Sequence, residues 1–195
     1  MAAPAIRRAT YQDVLDAPKH LVAELIDGQL HLHPRPAKPH AVATTVLGEE
    51  LGPPFRRGRG GPGGWIILDE PEIHLGADVL VPDLAGWRRE RMPQIVADEA
   101  FFTLAPDWAC EVLSPGTAKT DRTDKLRIYA HHEVLWVWLV DPLARTLEVL
   151  ERTGSRWTIL SSHRDDERVR ARPFDAFELA LALLWADVVL PDAPR

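Results

Sequence analysis

The chain has little cysteine, only two tyrosines and two methionines, no long apolar run, and no surplus of positive charge. A single cysteine, Cys110, excludes an internal disulfide and any zinc site built from several thiolates, so a cytoplasmic location is expected. No apolar stretch approaches the ~20 residues that span a bilayer, which leaves no membrane partner, and residues 1–10 lack the apolar centre of a signal peptide. Against 23 Lys and Arg stand 29 Asp and Glu, a formal charge of −6. That balance excludes a surface built as a broad cationic glove for nucleic acid or an anionic membrane. It does not exclude a nuclease, whose own site must be acidic to hold metal. No repeat of fixed period is present.

What is there is apolar and aromatic. Hydrophobic side chains make up 46% of 195 residues, with seven tryptophans and 17 prolines, enough for one compact domain over residues 1–195 with an aromatic core and many turns. Thr10, with Asp13 three residues on, reads as the start of a helix that Pro18 stops. Residues 22–33 alternate around Asp27-Gly28, a hairpin signal. After a loop stiffened by Pro34, Pro36 and Pro39, residues 40–51 carry Val42, Val46 and Leu47 at helical spacing. The Gly- and Arg-rich stretch 52–64, containing Arg56-Arg57-Gly58-Arg59, reads as a solvated connector, with a nucleic-acid contact as the alternative.

Strands are expected at 65–68, 72–75 and 79–84, the last ending near Pro82, and residues 88–104 form a charged excursion that is partly helical. Residues 108–113 are a short apolar strand. Asp121 reads as the cap of a helix running to about His132. Residues 135–140 are nearly all apolar, as in a strand covered on both faces. Further strands fall at 146–151 and 157–160, and residues 177–185 read as a helix with leucines buried. The pattern is α/β (α+β): a mixed β-sheet flanked by helices.

Glu111 is the most informative residue, because a carboxylate inside Ala109-Cys110-Glu111-Val112-Leu113 costs several kcal/mol to bury alone. Its compensation is a metal ion, a Lys or Arg, or backbone N–H groups. Asp83 follows the apolar Val79-Leu80-Val81-Pro82, and two carboxylates at neighbouring strand ends make an oxygen site of the kind Mg²⁺ accepts. Lys125 follows Glu111 by 14 residues, on a helix that can return its ammonium to those carboxylates. Taken singly, Asp83 reads as an Asx turn, Glu111 as half of an ion pair and Lys125 as a solvated helical lysine. Cys110 alternates to the opposite strand face and reads as core.

Together, Val81-Pro82-Asp83, Glu111 with Ser114-Pro115-Gly116-Thr117, Asp121, Lys125, Tyr129-Ala130 and Trp138-Leu139-Val140-Asp141-Pro142 resemble the Uma2 family, also described as a domain of unknown function. Glu24-Leu25-Ile26-Asp27-Gly28, followed by a proline loop and His40, is similar as well, and the likeness covers about residues 10–190. It implies the restriction endonuclease-like fold of the PD-(D/E)xK enzymes and Mg²⁺-dependent hydrolysis of phosphodiester bonds, with Mn²⁺ as a substitute. It also implies nucleic acid, DNA foremost, as partner, and a homodimer would suit cutting both strands. In such nucleases the lysine sits two residues after the acid, where this chain has Leu113. The resemblance therefore implies that Lys125 takes the role from the next helix, that Asp83, Glu111 and the Val112 carbonyl hold the metal, and that Glu24 is a further acid. Glu133 stands where the family usually has a turn glycine, and Trp136 where it has a later acid.

Two other readings compete. His31 and His33 alternate on one strand and, with His40 or His74, would make a cupin-like metal site. Alternatively the fold persists as a catalytically inactive binding or assembly module, which the negative net charge favours and the ordered set of Asp83, Glu111 and Lys125 opposes.

Overall fold

The computed structural model describes residues 7–98 and 100–189; Glu99 and residues 1–6 and 190–195, parts of the stretches read above, lie outside the described residues. Helix α1 (Tyr11–Leu15) begins at Thr10, whose backbone N–H donates to Asp13 at 2.7 Å, closing the expected box. Strands β1 (Leu21–Ile26) and β2 (Gln29–Pro34) form the expected hairpin. Its two turn residues, Asp27 and Gly28, both lie at positive φ (52° and 74°), the backbone that a two-residue turn matching strand twist requires.

Helix α2 (Lys38–Leu51) starts earlier than the sequence suggested, with Pro39 inside its first turn, where a missing N–H costs nothing. Its buried stripe is His40, Ala43, Leu47 and Leu51 rather than one centred on Val42 and Val46. The helix runs on through a π-helical turn, Gly52–Arg56, that buries Pro54 and Phe55, so the Gly- and Arg-rich stretch is anchored at its start and is no simple connector.

The strand expected over residues 79–84 is two strands in two sheets. β5 (Asp78–Leu80) joins β4 (Ile73–Leu75), β1 and β2 in a four-stranded sheet of order β2-β1-β5-β4. Val81-Pro82-Asp83 then crosses to β6 (Leu84–Arg88) in a six-stranded sheet, because Pro82 has no N–H to extend the ladder. The larger sheet runs β10-β9-β8-β7-β6-β3, with β3 (Trp65–Asp69), β7 (Trp108–Val112), β8 (Trp136–Asp141), β9 (Thr146–Thr153) and β10 (Arg156–Arg164). Only β7 and β8 pair in parallel within it. A parallel pair needs a crossover connection, supplied by α3 (Ala118–Thr120), a π turn (Asp121–Lys125) and α4 (Leu126–His131).

Both faces of the large sheet are covered around β7 and β8, giving the mixed architecture expected, while β10 at its edge is mostly exposed. One face packs Trp108, Cys110, Trp138 and Val140 against α2 and the C-terminal Leu181, Leu184 and Trp185. The other packs Ala109, Leu113, Val137 and Leu139 against α4 and against Ile26, Leu75 and Leu80 of the small sheet. Strand β8 is therefore buried from Trp136 to Val140. The excursion after β6 contains no helix among its described residues; Trp87 Nε1 donates to the Leu104 carbonyl at 2.8 Å, and the Arg88 N–H donates to the buried Asp107. Residues 177–185 are not one helix but β12 (Leu179–Ala180), paired with β11 (Arg168–Val169), and a short 3₁₀ turn (Leu181–Trp185).

Glu133 closes the turn between α4 and β8 at φ +62°, the left-handed region that a glycine enters without strain, and its side chain is largely exposed. Glu133→Gly should raise stability by about 0.5–1 kcal/mol in urea unfolding. An unchanged or lowered midpoint would show that the turn is not strained.

Candidate active site

The site is built where the two sheets meet. Strand alternation sends Cys110 and Val112 to one face of β7 and Glu111 to the other, toward α4 and the small sheet. Glu111 is 2% exposed, and both its oxygens are held: Lys125 Nζ lies 3.1 Å from Oε2, and the Tyr129 hydroxyl donates to Oε1 at 2.6 Å. Glu24 comes from β1, where it shares a face with Ile26. Its Oε1 lies 3.0 Å from the same Lys125 Nζ and accepts the Val81 N–H at 2.8 Å. Asp121 Oδ1 is the third carboxylate oxygen around the ammonium, at 3.2 Å, a charge contact without hydrogen-bond alignment.

Asp121 is thus inside the helical segment and not its cap, and the helix begins earlier, after Thr117. Asp121, Lys125 and Tyr129 are four residues apart; Lys125 and Tyr129 both reach Glu111, and Asp121 reaches Lys125. The role of Asp121 and Tyr129 was missed from sequence, although that repeated spacing of four was its visible signal. Lys125 is buried rather than solvated.

Asp83 stands beside this cluster. Its Oδ2 accepts the Val112 N–H at 2.7 Å, and His40 Nε2 lies 3.0 Å from Oδ1, so Asp83 is tied to β7 and α2 at once and not to its own turn. His33 Nε2 is 3.5 Å from Glu24 Oε2, too long for a good hydrogen bond. Glu24, Asp83, Glu111, Asp121, Lys125, His33 and His40 all line one cavity of about 310 Å³, closed on another side by Ser114, Gly116 and Thr117.

Five carboxylates line this cavity against two cations, and Arg35 pairs with Glu70 at its mouth, which leaves Glu24, Asp83, Glu111 and Asp121 with Lys125 as their one ammonium. Burial, only partly countered by Lys125, pushes the Glu111 carboxyl well above the usual carboxylate range, and Asp121, Asp83 and Glu24 push it further. Asp121 is raised in the same way. Burial also acts against Glu24, but Lys125 and the hydrogen bonds it accepts win, holding it at about 2. Burial would lower Lys125, yet Glu111, Glu24 and Asp121 together raise it well above its ordinary value. By atom type and charge the donor set suits a hard divalent cation. Among the described residues, however, no group of three or more His, Cys, Asp or Glu side chains is gathered to hold a metal ion. The carboxylates are engaged by N–H and O–H donors instead. The histidines do not gather either: His40 goes to Asp83 and His74 to Glu72, at 2.8 Å.

Residues 9–182 match the sequence profile of the Uma2 family, described as "Putative restriction endonuclease". Among solved structures, the chain is similar to "a putative nuclease belonging to DUF820 from Anabaena variabilis ATCC 29413". The identity is 23%, the match covers 91% of this chain and 97% of that one, and the TM-score is 0.72, a likeness of fold. No curated protein matches the chain.

Two outcomes follow from the cluster. Lys125→Met leaves three buried carboxylates without their cation and should cost about 3–5 kcal/mol at pH 7. Without the ammonium those carboxyls titrate higher in the folded than in the unfolded chain, so the deficit should narrow as pH falls from 7 to 5. Urea unfolding at both pH values measures it, and an equal deficit at each would sink the argument. Glu24, held at about 2 against an ordinary 4.5, contributes stability that is complete above pH 4.5 and is lost as pH falls toward 2. Glu24→Gln should therefore flatten the acid limb of melting temperature over that window.

Proposed function

Because the chain belongs to the Uma2 family, we propose that it is a metal-dependent endonuclease. It hydrolyses phosphodiester bonds of nucleic acid, DNA foremost, with Mg²⁺ as cofactor and Mn²⁺ as its substitute. The observation that carries the reading is the buried Lys125 ammonium, 3.0 Å from Glu24 and 3.1 Å from Glu111, on the wall of a cavity that Asp83 also lines. A structural ion pair needs one carboxylate per ammonium; a surplus of carboxylates facing open volume suits a site that receives a cation.

In this reading Asp83, Glu111 and the Val112 carbonyl hold the metal, which supplies Lewis acidity toward water and phosphate oxygen. Holding it requires Asp83 or Glu111 to exchange a present donor, His40 or Tyr129, for the ion. Lys125 keeps its proton, because three carboxylates surround it, and so acts as a fixed positive charge and hydrogen-bond donor and not as a base. Its amine orients the attacking water and offsets charge on the phosphate. Glu24 remains ionised and holds that amine in place. The Val112 N–H and His40 fix the Asp83 carboxylate from two sides. A cytoplasmic location and a two-fold dimer that presents two sites to two strands complete the proposal.

Plasmid, linear duplex, single-stranded DNA and RNA, each with Mg²⁺, Mn²⁺ or chelator, test it. Wild type should cut at least one of them only with metal, and Glu111→Gln and Asp83→Asn should each lower the rate by about 10²-fold or more. No cutting by wild type, or equal cutting by the variants, overturns the assignment, and binding without cutting would favour the non-catalytic module.

A further inference from the structure

A second cavity, of about 510 Å³, opens on the next turns of α2, lined by Thr44, Thr45 and Gly48, by Leu84 beside Asp83, and by Arg56 and Arg57. Helix α2 thus takes part in both cavities, since His40, four residues before Thr44, reaches Asp83 in the first. The arginines at the second cavity sit on an ordered base. Phe55 is buried against Phe174, with ring centroids 4.7 Å apart, and the Gly63 N–H donates to the Pro54 carbonyl at 2.8 Å. Gly61 lies so close to Pro54 that a Cβ there would fall 2.5 Å from its ring, and Gly58 and Gly60 take φ of +64° and +74°. The Arg-Gly stretch is therefore folded back on the π turn and presents its side chains from a fixed frame.

Arg56, Arg57 and Arg59 are exposed, and among the described residues they form no ion pair. Three unpaired guanidinium groups within four residues, in a chain of net charge −6, are a local concentration of positive charge. Glu49 and Asp69 also line this cavity, so its interior is not uniformly cationic and the arginines form its positive edge. A small free anion would be repelled by those carboxylates. A chain of phosphates can instead touch the arginines at the edge, and Leu84 in this cavity adjoins Asp83 in the first, so the two cavities are neighbours along the same chain segment.

We propose that the second cavity and its Arg56-Arg57 edge are the track on which the nucleic-acid backbone lies as it enters the site. The proposal rests on the nuclease reading and names its substrate-binding surface. Planar guanidinium groups suit paired contacts to phosphate oxygens. Such contacts position the strand without reading its sequence, and they supply the local affinity that the whole-chain charge does not.

Binding is measured on the Glu111→Gln protein, with a labelled DNA duplex and a labelled single strand, by fluorescence anisotropy across a salt series. Adding Arg56→Ala and Arg57→Ala should weaken binding about tenfold and reduce the salt slope by about 2 for two lost phosphate contacts. Arg156→Ala with Arg164→Ala, exposed residues on β10 at the far edge of the sheet, makes the same charge change and should leave affinity and slope near the parent values. No binding by the parent, no effect of the Arg56 and Arg57 changes, or an equal effect of the β10 pair overturns the track. Wild-type cleavage with unaffected binding in the Arg56 and Arg57 variant removes the track and keeps the nuclease. Binding lost in that variant, with no cleavage by wild type, does the reverse.

Discussion

A lysine ammonium that serves three buried carboxylates is the interaction on which the arrangement of this molecule turns. Lys125 is almost wholly buried, and Glu24, Glu111 and Asp121 arrive from the small sheet, the large sheet and the helical crossover respectively. Each carboxylate would be prohibitively costly in its apolar setting without that cation, and the cation would be equally costly without them. The docking of the two sheets is therefore fixed electrostatically as well as by the apolar packing of Ile26, Leu75 and Leu80 on the far strands. Tyr129 donates to the remaining oxygen of Glu111, so the cluster is fully partnered where it borders the cavity.

The same interaction bears on how an acidic chain would receive the anionic substrate proposed for it. Carboxyl groups are gathered inside, where burial first and their acidic neighbours second raise Glu111 and Asp121, and unpaired positive charge lies outside them on the Arg-Gly turn. A single figure of −6 averages over these two regions and describes neither. On the proposed track a polyanion meets guanidinium groups at the rim first and then the cavity where carboxylates and the ammonium stand.

Much of this was legible in the sequence, for identifiable reasons. The hairpin at Asp27-Gly28, the buried strand β8 and the isolation of Glu111 in an apolar strand are local signals, and each survives in the fold. The single strand expected over residues 79–84 is two strands because hydrophobic pattern does not say which sheet a strand joins; the strand end expected near Pro82 is there, and it is also the change of sheet. Aspartate favours a helix cap, which is what the sequence suggests for Asp121, but a buried lysine four residues on outcompetes the cap. The C-terminal leucines misled in the same way: their burial is real, and the 3₁₀ turn achieves it in a shorter span than a helix. Convergence of Glu24 with residues a hundred positions away is a product of topology, and periodicity carries no trace of it. The endonuclease-like fold itself was readable from the order of the motifs, not from any one of them.

The short Val81-Pro82-Asp83 crossover has a consequence for how the chain reaches its native state. It ties two sheets whose strands interleave along the sequence, since β5 belongs to one and β6, immediately after it, to the other. Contacts between Glu24 and Lys125 join residues a hundred positions apart, and loop closure of that length is entropically slow. Neither sheet alone contains the cluster, and a chain that has formed only one of them has no enclosed ammonium and no cavity. Assembly of the charged site thus coincides with completion of the fold, and a partly folded molecule is necessarily without it.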